Sequence, residues 1–290
     1  MSTDHSSDGK VFTLHTRPRR DEAYKPSELI QISGHQALSL NARRAITVLW
    51  HNAHLSGVAA GKDYVIEIDD LKPDTHKGYE MVEEAIEALM TSILVLKMAN
   101  GKTRRVQFLG GNDLDDPDRP AGCLTYSFDK RLVEILQDSA IWGKINIPVL
   151  MAFSSKYAIT LYENIAQRTG LRKSFEDFEL DAFRTLLGVE DGKYPMFGAL
   201  NKHVIKPAVA EVNALAPFSV SVLPVKTGKR VTGVKIAWYQ KDRDEAAAAW
   251  AEVGRHKVGR KARITGSVQH VLDPVPSVSR LSRAVRETRD

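Results

Sequence analysis

Between Pro195 and Asn213, stepping residues at 100° intervals collects Lys202, His203, Lys206 and Asn213 on one arc of a helix. Two ammonium groups at i, i+4 supply charge for phosphate oxygens, and an amide side chain can bond adenine in two places. A second cationic group follows in Lys226-Thr-Gly-Lys-Arg230, where Lys226, Lys229 and Arg230 surround Gly228. At the tip of a hairpin such long cationic side chains reach a phosphate backbone. Each group also has a plainer reading: a solvated lysine face on an ordinary helix, and an edge strand guarded by lysines.

The elements that must position these residues are set by local pattern. Leu180, Phe183, Leu186 and Leu187 recur at helical spacing and stop at Gly188, a residue suited to a left-handed C-cap. A turn runs through Glu190-Asp-Gly-Lys193, and Pro195 then stands at a first helical position, where its missing N–H leaves nothing unpaired. On the next helix Phe197, Leu200, Val204, Ala208 and Val212 share the apolar arc, with Ile205 at its edge. Pro207 lies inside it, deleting a backbone hydrogen bond and crowding the preceding turn, so a bend or change of axis near His203 is expected. Val220 and Val222, then Val234, Ile236 and Trp238, alternate as two strands with one buried face, and Pro224 makes the first an edge. Short helix, turn, basic helix and hairpin, from Asp181 to Trp238, describe a winged helix-turn-helix, which places one helix in the DNA major groove.

Three runs, Ser155-Lys-Tyr-Ala-Ile-Thr-Leu-Tyr-Glu163, Leu180-Asp-Ala-Phe-Arg-Thr-Leu-Leu-Gly-Val189 and Lys202-His-Val-Ile-Lys-Pro-Ala-Val-Ala-Glu-Val-Asn213, carry a resemblance in their order and spacing. Together they resemble the C-terminal half of the iteron-binding plasmid replication initiators. The resemblance runs from Ser39 to Tyr239 and is looser in its first half. It implies an α+β protein of tandem winged helix-turn-helix domains related by internal duplication. It places Lys156 among the DNA contacts and gives the first domain dimerisation and auxiliary DNA contacts, with a homodimer in equilibrium with monomer. The implied partners are double-stranded origin DNA carrying direct repeats, host replication proteins (a helicase and the host initiator) and chaperones. Origin opening, recruitment and repression of its own gene as a dimer are implied in the same way. A two-domain winged-helix transcriptional repressor without origin function is the alternative. Direct repeats beside the gene favour the first reading, and a lone inverted repeat at the promoter favours the second.

The first half can be checked for the duplication from its own residues. Ser39 can cap a helix whose Ala42, Ala45, Ile46, Leu49 and Ala53 share a face, and Val65, Ile66 and Ile68 form a short apolar run. Val82, Ala85, Ile86, Leu89, Ile93 and Leu96 read as one helical stripe, followed by strand-like segments from Arg104 to Leu109 and from Cys123 to Phe128. The outward arc of that helix carries Glu83, Glu84 and Glu87, carboxylates that phosphates repel. The hairpin, with Lys102, Arg104 and Arg105, is therefore the expected DNA contact of this unit, while the acidic run Gly110 to Asp118 forms a tip that points away. The apolar sequence from Ile93 to Leu96 suits either a dimer interface or a buried core helix.

Composition bounds the rest. The chain has 290 residues, enough for two ordinary cores, and a net charge of +5, too modest to establish nucleic-acid binding by itself. Its one cysteine, Cys123, excludes an intramolecular disulfide framework. No apolar run approaches the roughly 18 residues of a membrane span, and Met1 to Gly9 is no signal peptide, so a cytoplasmic protein without membrane contact is expected. The expected division is a mobile basic arm over 1–30, winged-helix domains over 31–140 and 141–241, and a helical extension with a disordered basic tail over 242–290. Asp244 to Val253 is alanine-rich and extends as a helix, while the cations from Arg255 to Arg263 either hold DNA nonspecifically or keep the protein soluble.

Enzymatic signatures are weak. Asn100-Gly-Lys-Thr103 matches the end of a phosphate-binding loop, but Leu96 stands where that motif requires glycine. His51 and His54 have a metal-compatible spacing with no third ligand nearby, and His203-Val-Ile is followed by lysine rather than the second histidine of a nickase. No cofactor, metal or catalytic residue is expected. Accordingly, purified protein should neither turn over ATP nor nick supercoiled origin plasmid with magnesium or manganese. A tyrosine-linked DNA product in that assay would place it among the nickases.

Overall fold

The computed structural model describes residues 20–266, except 32–35, 37, 73–77, 98–100, 117–121, 138 and 172. It opens with a strand, Glu22–Pro26 (β1), and one helical turn, Ser27–Ile30 (α1). These residues fall in the stretch expected to be a mobile arm. They are instead structured, because Ala23 and Lys25 point inward and β1 pairs antiparallel with Trp142–Asn146, from Glu22↔Asn146 to Pro26↔Trp142. The rest of that arm lies outside the described residues, as does the tail beyond 266.

The first unit follows. In Leu40–Leu55 (α2), the Ser39 hydroxyl accepts from the Ala42 N–H at 3.2 Å, satisfying one amide that the first turn leaves open. Ala42, Ala45, Ile46, Leu49 and Ala53 are all buried. Tyr64–Glu67 (β2) and the short Ile68–Leu71 (α3) lead to Tyr79–Thr91 (α4), which buries Val82, Ala85, Ile86 and Leu89 and exposes Glu83, Glu84 and Glu87. The expected stripe stops there. Ile93 and Leu96 do not continue the helix: Leu94–Lys97 (β3) is a strand paired with Thr103–Val106 (β4). Leu94 is buried while Ile93 and Val95 are exposed, a period of two that coincides with helical spacing over so few residues. The wing is a different hairpin, Leu109–Leu114 (β5) with Cys123–Phe128 (β6), and β2 completes a sheet of order β2-β6-β5. The expected hairpin from Arg104 to Phe128 thus divides in two.

Lys130–Gln137 (α5), Trp142–Asn146 (β7) and Ile147–Ala152 (α6) connect to the second unit. It comprises Lys156–Arg168 (α7), Phe175–Glu179 (β8), Leu180–Leu187 (α8), Phe197–Leu200 (α9), a π turn over Asn201–Ile205, Lys206–Leu215 (α10), Phe218–Thr227 (β9) and Arg230–Gln240 (β10). The sheet order is β8-β10-β9, all antiparallel. The same plan is therefore built twice. A serine-capped helix (α2, α7) precedes a strand that runs straight into a short helix (β2–α3, β8–α8), and that strand pairs with the last strand of the wing. Arg243–Gly254 (α11) then follows. Residues from Arg255 form a separate unit, within which Arg260–Ile264 (α12) is one short helix. Among the described residues no helix is long and apolar enough to cross a membrane.

The halves are tied by buried polar groups. Lys25, 2% exposed, donates to Glu163 Oε1 at 2.7 Å and to Thr47 Oγ1 at 2.9 Å. Thr47 Oγ1 also lies 3.0 Å from Glu163 Oε1, and Arg43 of α2 donates to Thr160 Oγ1 of α7 at 2.8 Å. Burial pushes the Lys25 ammonium below its ordinary range, with Glu163 opposing, and pushes Arg43 down to about 10. Beside this cluster, Arg44 donates to the carbonyls of Met151, at 3.1 Å, and Phe153. Removing one partner of such a pair strands the other, whereas replacing both with apolar groups can be neutral. Glu163→Ala should therefore cost about 3–5 kcal/mol in urea denaturation. The double variant Lys25→Met/Glu163→Leu should recover most of that loss.

Candidate nucleic-acid interface

The second unit's helix-turn-helix is built from α8, its turn and the α9–π–α10 helix. Gly188 ends α8 at φ 69°, ψ 38°, where a Cβ would be strained, and its N–H donates to Thr185 O at 2.9 Å. Phe183, Leu187 and Val189 pack in the same core as Leu200, Val204, Ala208 and Val212, so the second helix of the motif is held by its expected apolar arc.

The change of axis expected from Pro207 takes the form of the π turn. The Lys206 N–H donates to Asn201 O, five residues back, and α10 restarts with Pro207 in its first turn, where its missing N–H is tolerated. Such wide turns recur at functional sites. Lys202, His203 and Lys206 are all exposed here, as are Lys226, Lys229 and Arg230 at the β9–β10 tip. Gly228 supplies the positive φ, 62°, that this two-residue connection needs. None of these five lysines and arginines makes an ion pair with a carboxylate among the described residues.

Two expected contacts are corrected. Asn213 accepts from the Val220 N–H at 2.7 Å and donates Nδ2 to Val220 O at 3.0 Å. Its amide imitates a strand partner for β9, so the paired O and N–H edge that would bond adenine in two places is already in use. Lys156, whose side chain is 19% exposed, donates to Glu190 at 2.8 Å and to Gln36 O at 3.0 Å, tying the start of α7 to the helix-turn-helix turn. Lys156, and then Lys193, hold the Glu190 carboxyl below its usual range. In this structure Lys156 thus ties down the turn through Glu190, where the resemblance places it among the DNA contacts.

In the first unit Lys102, Arg104 and Arg105 lie at and beside β4, on the β3–β4 hairpin rather than on the β5–β6 wing. Arg104 lies along α5, its Nη1 3.4 Å from Glu134 Oε2, while Arg105 is exposed. His51 and His54 serve packing: His54 stacks on Trp142 at 5.6 Å, and His51 is buried with Nε2 3.2 Å from Arg20 O. Burial lowers both imidazoles below their ordinary range. Among the described residues no cluster could hold a metal. Two residues absent from the sequence reading matter here. Arg184 donates Nη1 to Tyr194 O at 2.9 Å, and the Tyr194 ring stacks on His203. The tyrosine-proline pair at the entry to a basic helix was the available signal.

Family comparison agrees with this architecture. The family model described as Initiator Replication protein, WH1, matches residues 22–166, and Initiator Rep protein, WH2, matches residues 179–238. The chain belongs to the initiator Rep protein family. The first match takes in β1 through most of α7, so the Rep family's own first domain includes residues that composition assigned to an arm and the helix carrying Glu163. The second begins at Glu179, one residue before α8, and ends in β10. Among solved structures, the Pi initiator protein in complex with iteron DNA shares the Rep fold. It has a TM-score of 0.59 and 18% identity, over 77% of this chain and 98% of that one. The WH1 domain of a replication protein isolated from a multiple sclerosis patient matches 35% of this chain and 82% of that one, at 15% identity and a TM-score of 0.27. No curated protein matches.

Removing the Asn213 amide leaves a buried Val220 N–H unpaired. Asn213→Ala should cost about 1–3 kcal/mol in thermal or urea unfolding, while folded protein keeps its DNA affinity. A loss of affinity without loss of stability would restore Asn213 as a contact.

Proposed function

We propose that this Rep-family protein binds directly repeated double-stranded sites, the iterons, at a plasmid origin and starts replication there. It acts through binding free energy, without cutting DNA or hydrolysing a nucleotide. The observation that carries the reading is the exposed face of the π turn and α10. Lys202, His203 and Lys206 stand together on it, unpaired with carboxylates, while the opposite face is locked into the core. The β9–β10 tip adds sequence-blind phosphate contacts that set register. The iteron complex of the similar Pi initiator supports the choice of site class. Opening of neighbouring duplex, recruitment of host helicase, initiator and chaperones, self-repression as a dimer, and action in the cytoplasm complete the proposal. The acidic outer face of α4 favours unequal roles for the two domains, the first contacting DNA through Lys102, Arg104 and Arg105 rather than through that helix.

The test is Lys202→Ala/Lys206→Ala. Folding should be preserved, since both side chains are exposed, and affinity for the origin repeat should fall. The slope of log affinity against log salt should shrink by about 0.9 for each phosphate contact removed. Wild-type affinity and slope in the double variant would overturn the interface.

A further inference from the structure

Tyr194 is the only non-glycine residue with positive φ, 53°, among those described. Left-handed backbone is costly for a residue with a Cβ, and a residue before proline is also steered toward extended backbone. Tyr194 meets both penalties, because Pro195 follows it. The surroundings hold it there: Arg184 Nη1 donates to the Tyr194 carbonyl at 2.9 Å, and Arg184 Nη2 donates to the Lys193 carbonyl. Backbone strain of this kind persists only where the structure over-determines it, and it gathers at functional sites.

Here the strain has a visible product. It lays the Tyr194 ring against the imidazole of His203, with centroids 5.8 Å apart and planes 19° from parallel. His203 is exposed on the π turn beside Lys202 and Lys206. An exposed imidazole alone would sample several rotamers, whereas one stacked on an anchored ring presents its edge in a fixed direction. The lysines supply charge, which attracts any duplex equally. An aimed ring nitrogen can tell one base edge from another.

We propose that Tyr194 is a positioning residue for sequence recognition: by stacking on His203 it directs an imidazole nitrogen at a purine edge in the major groove. This rests on the reading that the Lys202–Lys206 face meets DNA. The target atom is the purine N7 acceptor, with guanine O6 beside it.

The experiment uses the full chain and two duplexes of equal length: the repeat footprinted beside its own gene, and a scrambled version. The readout is the ratio of the two affinities at one salt concentration. Tyr194→Phe keeps the ring and should keep the wild-type ratio. Tyr194→Asn tolerates left-handed backbone but removes the ring, and should lower the ratio about tenfold while leaving scrambled-DNA affinity and the melting midpoint unchanged. His203→Ala should lower it equally, and Tyr194→Asn/His203→Ala should lose no more than either alone. If Tyr194→Asn fails to fold, Tyr194→Gly, which relieves the backbone, takes its place. A ratio within about twofold of wild type for the ringless variant, or losses that multiply in the double variant, overturns the proposal. If Lys202→Ala/Lys206→Ala binds normally, the underlying interface falls instead. If that variant binds weakly while Tyr194→Asn keeps its ratio, only the positioning role falls.

Discussion

A lysine ammonium sealed from water needs a counter-charge, and Lys25 finds it in Glu163, on a helix of the other half of the molecule. Satisfying that contact draws three elements together: β1 delivers the ammonium, α7 the carboxylate, and α2 the Thr47 hydroxyl between them. The β1–β7 pairing and the Arg43–Thr160 and Arg44–Phe153 bonds are arranged around the same point. Coulombic attraction in such a place roughly offsets desolvation, so the cluster specifies an arrangement more than it adds stability.

Much of the fold was legible because its signals are local. Ser39 before an apolar stripe, Gly188 after one, and the alternation around Gly228 each involve neighbours in sequence, and each stands where the pattern placed it. β8 gave no such signal: Phe175 and Phe178 are three apart in an acidic run, and the strand exists because β10 offers it a partner. β1 was missed for the same reason, its partner being far along the chain. The site was legible to the level of faces and no further. The helical arc put Asn213 with Lys206, yet whether an amide reads a base or ties a strand depends on what packs beside it. Lys156 shows the same limit, since a charge in a sequence does not reveal whether its partner is inside or outside the protein.

Two departures from ideal backbone, the π turn before Pro207 and the left-handed Tyr194, sit on the same short stretch that displays the cations. Elsewhere α2, α6 and α7 start on ordinary side-chain caps, Ser39, Asn146 and Ser155. Local rules broken inside an otherwise well-patterned element are found more often at functional sites than elsewhere.

The helix α7 is buried nearly all round, contributing Ile159, Tyr162 and Ile165 to one core and Glu163 to the tie with the other half. It therefore acts as a shared beam, with no slack tether between the two winged helices. For a duplex gripped by both, helical phasing becomes part of recognition. Each turn of DNA brings the same groove face round after about 10–10.5 base pairs. Adding about half a turn between the two contacted segments would swing one of them to the far side, where a beam cannot follow and a loose linker could.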